Sequence, residues 1–425
     1  MPNAQTVVTS ESEKYKKRWI GLCKFLGRWF YRPDYEALRI ALSVYVAHHY
    51  LNENPVWMYI IGPPGSGKTS IVLKALEFLP NSYPVTDLTT NSFLSGFGDG
   101  KDGLLYSMTK SKGKSTHGVI TFPDFTGFLQ KNENVRDEVM GQMRQLWDGK
   151  LVKQVGNIKG GIKWTGKVTC IAAVTPAIER FHKLNGELGE RFISVRWPNQ
   201  DPMAVAAKAM QQVGHEAQIR DEFYKRVNHF VNHNELNYVD LPIDPATNHA
   251  LLSSAVLLAK SRCPIERDRY GRHPITNVPE HEAATRIIKA ITQIAKANAC
   301  MARRQTISEA DLKLTKRVIL DSIPRVRRRI IDWVPLHGDI RWSELIHLSQ
   351  LNPGTFIRVM EDMKALGIVT GFRDKTNDLE MLYADDNDDE LDSNEYKVVR
   401  FTEGFRKLII DSGVQTLSMV DSVPV

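Results

Sequence analysis

Eight consecutive residues, Gly62-Pro63-Pro64-Gly65-Ser66-Gly67-Lys68-Thr69, join an apolar run, Val56-Trp57-Met58-Tyr59-Ile60-Ile61, to a helical pattern. The spacing G-x-x-x-x-G-K-[ST], set between a strand and a helix, is what a phosphate-binding loop requires. Its glycines let backbone N–H groups turn inward onto phosphate oxygens, and the following helix presents its positive N-terminal end. A chance Gly/Pro turn would not need that order of elements. The residues from Gly62 to Ser70 are therefore expected to cradle a nucleoside triphosphate. Lys68 is expected on the β- and γ-phosphates and Thr69 on Mg²⁺.

A chain of 425 residues exceeds one compact core and points to two or three domains. Its formal charge of +7 favours a polyanionic partner, although a solvated basic surface gives the same excess. The four cysteines, Cys23, Cys170, Cys263 and Cys300, lack C-x-x-C spacing, which argues against a zinc site or a disulfide framework. No apolar stretch reaches the length of a membrane span and the first residues lack a signal-peptide core. A soluble, cytoplasmic protein with reduced thiols and no membrane partner is expected.

Along the chain, residues 1–35 form a basic segment whose first ten residues read as disordered. Its later part mixes Lys14, Lys16, Lys17, Arg18, Lys24, Arg28 and Arg32 with Trp19, Phe25, Trp29, Phe30 and Tyr31 at helical spacing. Such a helix touches nucleic acid or packs on the body of the protein or a neighbouring subunit. Asp34 reads as the N-cap of the next helix. Residues 36–199 alternate strands and helices, with strands expected at Trp57, Tyr83 to Leu88, Val119 to Phe122, Lys167 to Val174 and Phe192 to Arg196. That alternation predicts an α/β layer on a parallel sheet. Long helical patterns follow over 200–322: Ala204 to Phe230, Ala246 to Lys260, Glu282 to Arg303, and Ser308 to Ser322 behind a capping box. Residues 323–425 give helix, helix, turn, helix and β-pattern, the order of a winged helix, with an acidic loop over 385–395.

Chemistry-bearing positions recur at strand ends. Val119 to Pro123 leads to Asp124, a carboxylate placed to share the Mg²⁺ shell, and Ile171 to Val174 leads to Thr175, placed to sense the γ-phosphate or position water. Arg191 precedes the last strand, where an arginine either reaches a neighbouring subunit's γ-phosphate or makes a surface ion pair. Arg286 opens an apolar-faced helix from which it would fold onto nucleotide, with Arg262, Arg267 and Arg269 as weaker rivals. Between Asp124 and Thr175, residues 150–167 read as a β-hairpin carrying Lys150, Lys153, Lys159, Lys163 and Lys167. Those lysines track a nucleic-acid backbone or protect a strand edge.

In order and spacing this set resembles the AAA+ superfamily over roughly residues 36–322. The resemblance makes Asp124 Walker-B-like, Thr175 sensor-one-like, Arg191 finger-like and Arg286 sensor-two-like, ahead of a helical lid. The hairpin is similar to that of the branch holding minichromosome-maintenance helicases and MoxR-type ATPases, and the whole chain looks most like AAA+ proteins of phages and mobile elements. A P-loop NTPase fold with a helical lid and a C-terminal winged helix is implied, with ATP and Mg²⁺. Also implied are a homo-oligomeric ring, a hexamer, and DNA, single-stranded or duplex, as substrate, with a replication or mobile-element protein as a further partner. Lys153, Lys159 and Lys163 in the hairpin and Arg325, Arg327, Arg328 and Arg329 before the winged helix are the DNA-contact candidates. A MoxR-like protein-remodelling ATPase is the alternative. The family follows its metal-binding Asp with a water-activating Glu, whereas Asp124 is followed by Phe125-Thr126. Glu133, Asp137, Glu138 and Asp87 are the other carboxylates in range, and a weakly hydrolysing nucleotide switch stays open.

Overall fold

In the first long apolar run, β1 (Trp57–Ile61), every residue is buried, as in strands of a parallel sheet covered on both sides. The structure, a computed structural model, describes residues 4–51, 53–95, 103–110, 117–154, 161–181, 191–231, 241–268, 273–278, 280–372 and 397–414. After β1 come β2 (Ser82–Pro84) and β3 (His117–Phe122), then a hairpin of β4 (Lys150–Lys153) and β5 (Ile162–Thr165), then β6 (Lys167–Val174) and β7 (Phe192–Arg196). Five of these make one parallel sheet in the order β2-β3-β6-β1-β7. The expected strand over Tyr83 to Leu88 stops early, because the ladder ends once Val85 N–H has reached Thr121 O at 2.8 Å.

Trp57, Tyr59 and Ile61 of β1 and Val168, Cys170, Ala172 and Val174 of β6 join one core with Phe93, Phe125, Phe128 and Leu146. The spacing of two puts them on one side of the pleat. The other side packs against the helix Tyr35–Tyr50. Asp34 caps that helix, accepting from Ala37 N at 2.9 Å, and both its carboxylate oxygens accept from the Arg317 guanidinium.

The first helix runs Ala4–Trp29, reaching into residues expected to be disordered. Its apolar face lies on the helix Glu216–Val231 of the same chain: the Tyr15 and Trp19 rings sit 4.8 and 5.0 Å from Phe230, and Phe25 sits 5.8 Å from Phe223. Lys14, Lys16, Lys17 and Lys24 stay exposed. The pattern expected as one helix over Ala204 to Phe230 is two, Pro202–Gln212 and Glu216–Val231, broken where Gly214 takes φ +81°.

The chain divides into two compact units, 1–244 with 289–318, and 245–288 with 319–425. Residues 200–322, expected as one helical segment, are thus shared. Pro202–Gln212 and Glu216–Val231 go with the first unit, where Ala4–Trp29 packs on both, and Pro245–Arg262 goes with the second, where it packs along Glu403–Ser412. In the second unit, helices Arg325–Ile331, Trp342–Ser349 and Pro353–Ala365 accompany a three-stranded antiparallel sheet of Ile340–Arg341, Lys397–Phe401 and Val369–Phe372. Phe356, Phe401 and Phe405 fill its centre. The acidic loop over 385–395 lies outside the described residues. Among the described residues, no helix is long and apolar enough to cross a membrane.

Candidate functional site

The Gly62 to Thr69 loop leaves the C-terminal end of β1, which lies between β6 and β7 at the point where strand order reverses, the place where open α/β sheets take ligands. Gly62 N donates to Val174 O at 3.0 Å and Trp197 N donates to Ile61 O at 2.7 Å, fixing the loop's root to both neighbours. A Cβ at Gly62 would stand 2.6 Å from Trp197 Cβ, so only glycine fits there. Gly65 and Gly67 take φ of +73° and +88°, the left-handed conformation that turns N–H groups inward. Lys68 is buried, its Nζ donating to Gly62 O at 2.9 Å and Pro63 O at 2.8 Å. Burial lowers the Lys68 pKa from its ordinary value, and the nearby Asp124 carboxylate opposes that shift. Ser66 Oγ is buried with no hydrogen-bond partner among the described residues. An orphaned hydroxyl, inward N–H groups and a buried ammonium fit a triphosphate.

Beside the loop lies a cleft of about 350 Å³ whose far wall is Phe30, Tyr31, Gln200, Val205, Lys208 and Gln212. The Phe30-Tyr31 connector is clamped there. Gln200 Nε2 donates to Tyr31 O and Arg32 O, both at 3.0 Å, while Lys208 Nζ and Gln212 Nε2 donate to Arg28 O and Trp29 O, both at 2.8 Å. Two ring side chains beside a phosphate loop suit a planar base. In the sequence both belong to the basic aromatic segment, with no role at a nucleotide. Their one local signal is an aromatic pair just ahead of the Asp34 N-cap, and it gains meaning only from partners about 170 residues away.

Asp124 follows β3 and caps the helix Phe125–Leu129, its Oδ1 accepting from Thr126 N at 3.0 Å and Gly127 N at 3.3 Å. Because β3 pairs with β6, Asp124 and Thr175 leave adjacent strands side by side. Thr126, given no role in the sequence, joins them: its Oγ1 accepts from Thr175 N at 2.9 Å, and the two hydroxyls lie 3.4 Å apart. The other carboxylates are engaged elsewhere. Asp87 pairs with Lys131 at 2.5 Å, Glu133 and Asp137 flank Arg136 at 3.5 and 3.3 Å, and Glu138 accepts from Gln142 at 3.4 Å.

Arg191 stands at the start of β7 with its side chain only 11% exposed; its guanidinium lies 5.4 Å from the Trp147 ring centre and 3.6 Å from the Asp148 carboxylate. Arg286 belongs to the second unit, half-buried in the first turn of Thr285–Met301. Its rivals are committed to ion pairs: Arg262 with Glu282 at 2.6 Å, and Arg267 with Glu361 and Asp362 at 2.8 Å each. Arg269 lies outside the described residues.

The hairpin pairs Leu151 with Trp164 and Lys153 with Ile162 on one face, Lys150 with Thr165 and Val152 with Lys163 on the other. Leu151, Ile162 and Trp164 are buried, so register turns Lys153 inward, where its Nζ donates to Thr90 O at 2.9 Å and Asn91 Oδ1 at 2.5 Å. Lys167 is likewise tied, to His48 O at 3.1 Å and Leu51 O at 2.6 Å, and burial brings its pKa down to about 8. The five-lysine ribbon is thereby corrected. Lys150 and Lys163 are exposed, while Lys159 lies outside the described residues. The arginine cluster shrinks in the same way. Arg327 is 4% exposed and donates to Ser261 O and Cys263 O at 3.0 and 2.6 Å; Arg328 pairs with Asp332 at 2.5 Å; Arg329 reaches Ser349 O and Gln350 O at 3.4 and 3.2 Å. Arg325 remains exposed.

Residues 58–196 match the model of the ATPase family associated with various cellular activities (AAA). The match spans β1 to β7, with the phosphate loop, Asp124, Thr175 and Arg191 inside it, and supports an AAA+ ATPase. ATPases of this family generally use ATP and Mg²⁺ and commonly assemble into rings. A search of curated proteins gave no match.

Proposed function

We propose that the protein is a ring-forming AAA+ ATPase that couples ATP hydrolysis to work on DNA, as a helicase or as a helicase-loading or initiator-like factor. The observation that carries the ATPase reading is the convergence of the phosphate loop, Thr175 and Asp124 at the same edge of three adjacent strands, β1, β6 and β3. Lys68 takes up the β- and γ-phosphate charge, the role its buried ammonium suits. Thr69 and Asp124 would hold Mg²⁺, which supplies charge neutralisation between the phosphates. Thr175 and Thr126 hold two hydroxyls where an attacking water is oriented. Phe30 and Tyr31 face the base, Arg191 acts on the neighbour's γ-phosphate, and Arg286 serves as the lid's sensor.

Exposed Lys150 and Lys163 on the hairpin, and Arg325 ahead of the second unit's helices and antiparallel sheet, support the DNA reading. The helix-strand-helix-helix-strand-strand order of that unit is the order of a winged helix, and we assign it so. The inward commitment of Lys153, Lys167, Arg327, Arg328 and Arg329 favours the second reading, a MoxR-like ATPase that remodels polypeptide. Fluorescence anisotropy with single-stranded and duplex DNA across a salt series separates the two. The DNA reading expects binding with ATP at low salt and a log–log slope of about −1.5 to −3, the value for a few phosphate contacts. No binding at low salt transfers the assignment to a protein substrate.

A further inference from the structure

The residues that hold Arg191 are continuous in sequence with the hairpin. The helix Glu133–Trp147 ends on Trp147, Asp148 closes it with its N–H on Arg144 O at 3.2 Å, Gly149 turns at φ +79°, and β4 begins at the next residue. Gly166 N donates to Gly149 O at 3.0 Å and shuts the base of the hairpin at that point. A Cβ on Gly149 would lie 3.0 Å from Gly166 O, so the junction is tight. A displacement of the ribbon is therefore delivered to Asp148 through a single residue. On the other side, Arg191 lies over the Trp147 ring and against the Asp148 carboxylate, with 11% of its side chain exposed. In this conformation the guanidinium is committed within its own chain.

We infer that Trp147 and Asp148 are a cis-acting latch on Arg191, released when substrate pulls on the β4–β5 hairpin. The inference rests on the reading of Arg191 as an arginine that acts on the neighbouring subunit's nucleotide. Its strength suits a switch. The Asp148 side chain is 58% exposed and the ion pair spans 3.6 Å, so it is a screened, weak contact, and the cation–π contact adds a modest hold. Lys150 lies two residues from Asp148 and is exposed, so a polyanion on the hairpin acts next to the latch. Trp147 and Asp148 are positioning residues and touch no substrate atom.

The test is steady-state ATP hydrolysis by the full chain, with and without a single-stranded oligothymidylate. It compares wild type with Asp148→Asn, Trp147→Phe, Arg191→Ala and the Asp148→Asn/Arg191→Ala pair. Asp148→Asn keeps size and shape while removing the charge that holds the guanidinium. It is expected to raise the DNA-free kcat by about two- to fivefold at unchanged KM for ATP, the factor that a weak ion pair commands. The stimulated rate should stay near wild type, so the stimulation ratio falls. Trp147→Phe retains an aromatic face and should behave as wild type, and the double variant should fall to the Arg191→Ala rate. A DNA-free kcat that is unchanged or lowered in Asp148→Asn, while Arg191→Ala is impaired, overturns the latch and leaves the trans-acting arginine intact. An Arg191→Ala protein with wild-type turnover overturns both. The DNA-free comparison applies whichever polymer the ring acts on.

Discussion

Thr175 donates its backbone N–H to Thr126 Oγ1 at 2.9 Å, tying the turn after β6 to the turn after β3. Thr126 is 6% exposed and Thr175 half-buried, so the bond is partly shielded from water. Thr126→Val preserves shape and removes the acceptor, leaving a half-buried N–H unpaired at a cost of about 1 kcal/mol. Urea unfolding should show that loss, and kcat should fall more than KM rises. Thr126→Ser should restore both, and a Thr126→Val protein with wild-type kcat would remove this pair from the site.

Lys68→Ala should abolish ATP binding, since the charge on the β/γ-phosphates and the Nζ bonds to Gly62 O and Pro63 O are lost together. Asp124→Asn should keep binding within a few fold yet lose Mg²⁺-dependent turnover. Isothermal titration beside phosphate-release assays distinguishes the two, and equal turnover in wild type and Asp124→Asn would show that Asp124 is misassigned.

Tyr31 offers a test of the base side of the cleft. A ring stacked on a base contributes about 1–3 kcal/mol, so Tyr31→Ala should weaken ATP roughly ten- to a hundredfold. Inorganic triphosphate, which has no base, should bind both proteins alike. Equal losses for the two ligands would mean that Tyr31 shapes the loop and leaves the base untouched.

Register divides the hairpin lysines into exposed and inward-turned ones. Alanine at Lys150 or Lys163 should each flatten the salt slope for single-stranded DNA by about 0.7 while leaving thermal stability unchanged. Lys153→Ala should do the reverse, lowering the melting temperature through loss of the Thr90 and Asn91 contacts and leaving the salt slope alone.

His48 gives a pH signature. It is 5% exposed with Nδ1 3.1 Å from Thr169 Oγ1, and burial holds its pKa well below 6.5, helped by His49, Lys167 and His117. Below pH 6.5 the unfolded chain takes up a proton at this residue that the native protein refuses, so stability falls as pH falls. Between pH 7.5 and 5.5 the loss from this group should be about 1 kcal/mol. His48→Gln keeps a partner for Thr169 and should lose correspondingly less; identical pH dependence in the two proteins would show that His48 takes up its proton as readily in the native state as in the unfolded chain.

How far the site can be read in the sequence depends on how local each determinant is. Gly62 to Thr69, Asp124 and Thr175 are legible because each sits at the end of an apolar strand, where direction and depth follow from the run itself. The hairpin is legible as an element, yet which of its lysines face water depends on the Lys153 and Ile162 pairing. Arg327 looks like its neighbours in an Arg-rich run, and its burial is decided by Ser261 and Cys263, more than 60 residues earlier. The wall of Phe30 and Tyr31 depends on Gln200, Lys208 and Gln212 in the same way. Short-range chemistry is written in neighbouring letters, whereas long-range partners are chosen by packing.

The docking of the first helix onto Phe223 and Phe230 has a consequence for how the protein is made. About 200 residues separate Trp19 from Phe230, which at ~5–20 residues per second is roughly 10–40 s of translation. During that interval Tyr15, Trp19 and Phe25 leave the ribosome as an apolar stripe without the Phe223 and Phe230 rings that later cover it. The connector at Phe30 and Tyr31 is anchored by residues 200, 208 and 212, which emerge in the same late window. A ribosome-bound chain therefore acquires its phosphate loop early and the far wall of the adjoining cleft late, so the cleft is complete only once the first unit's fold has closed.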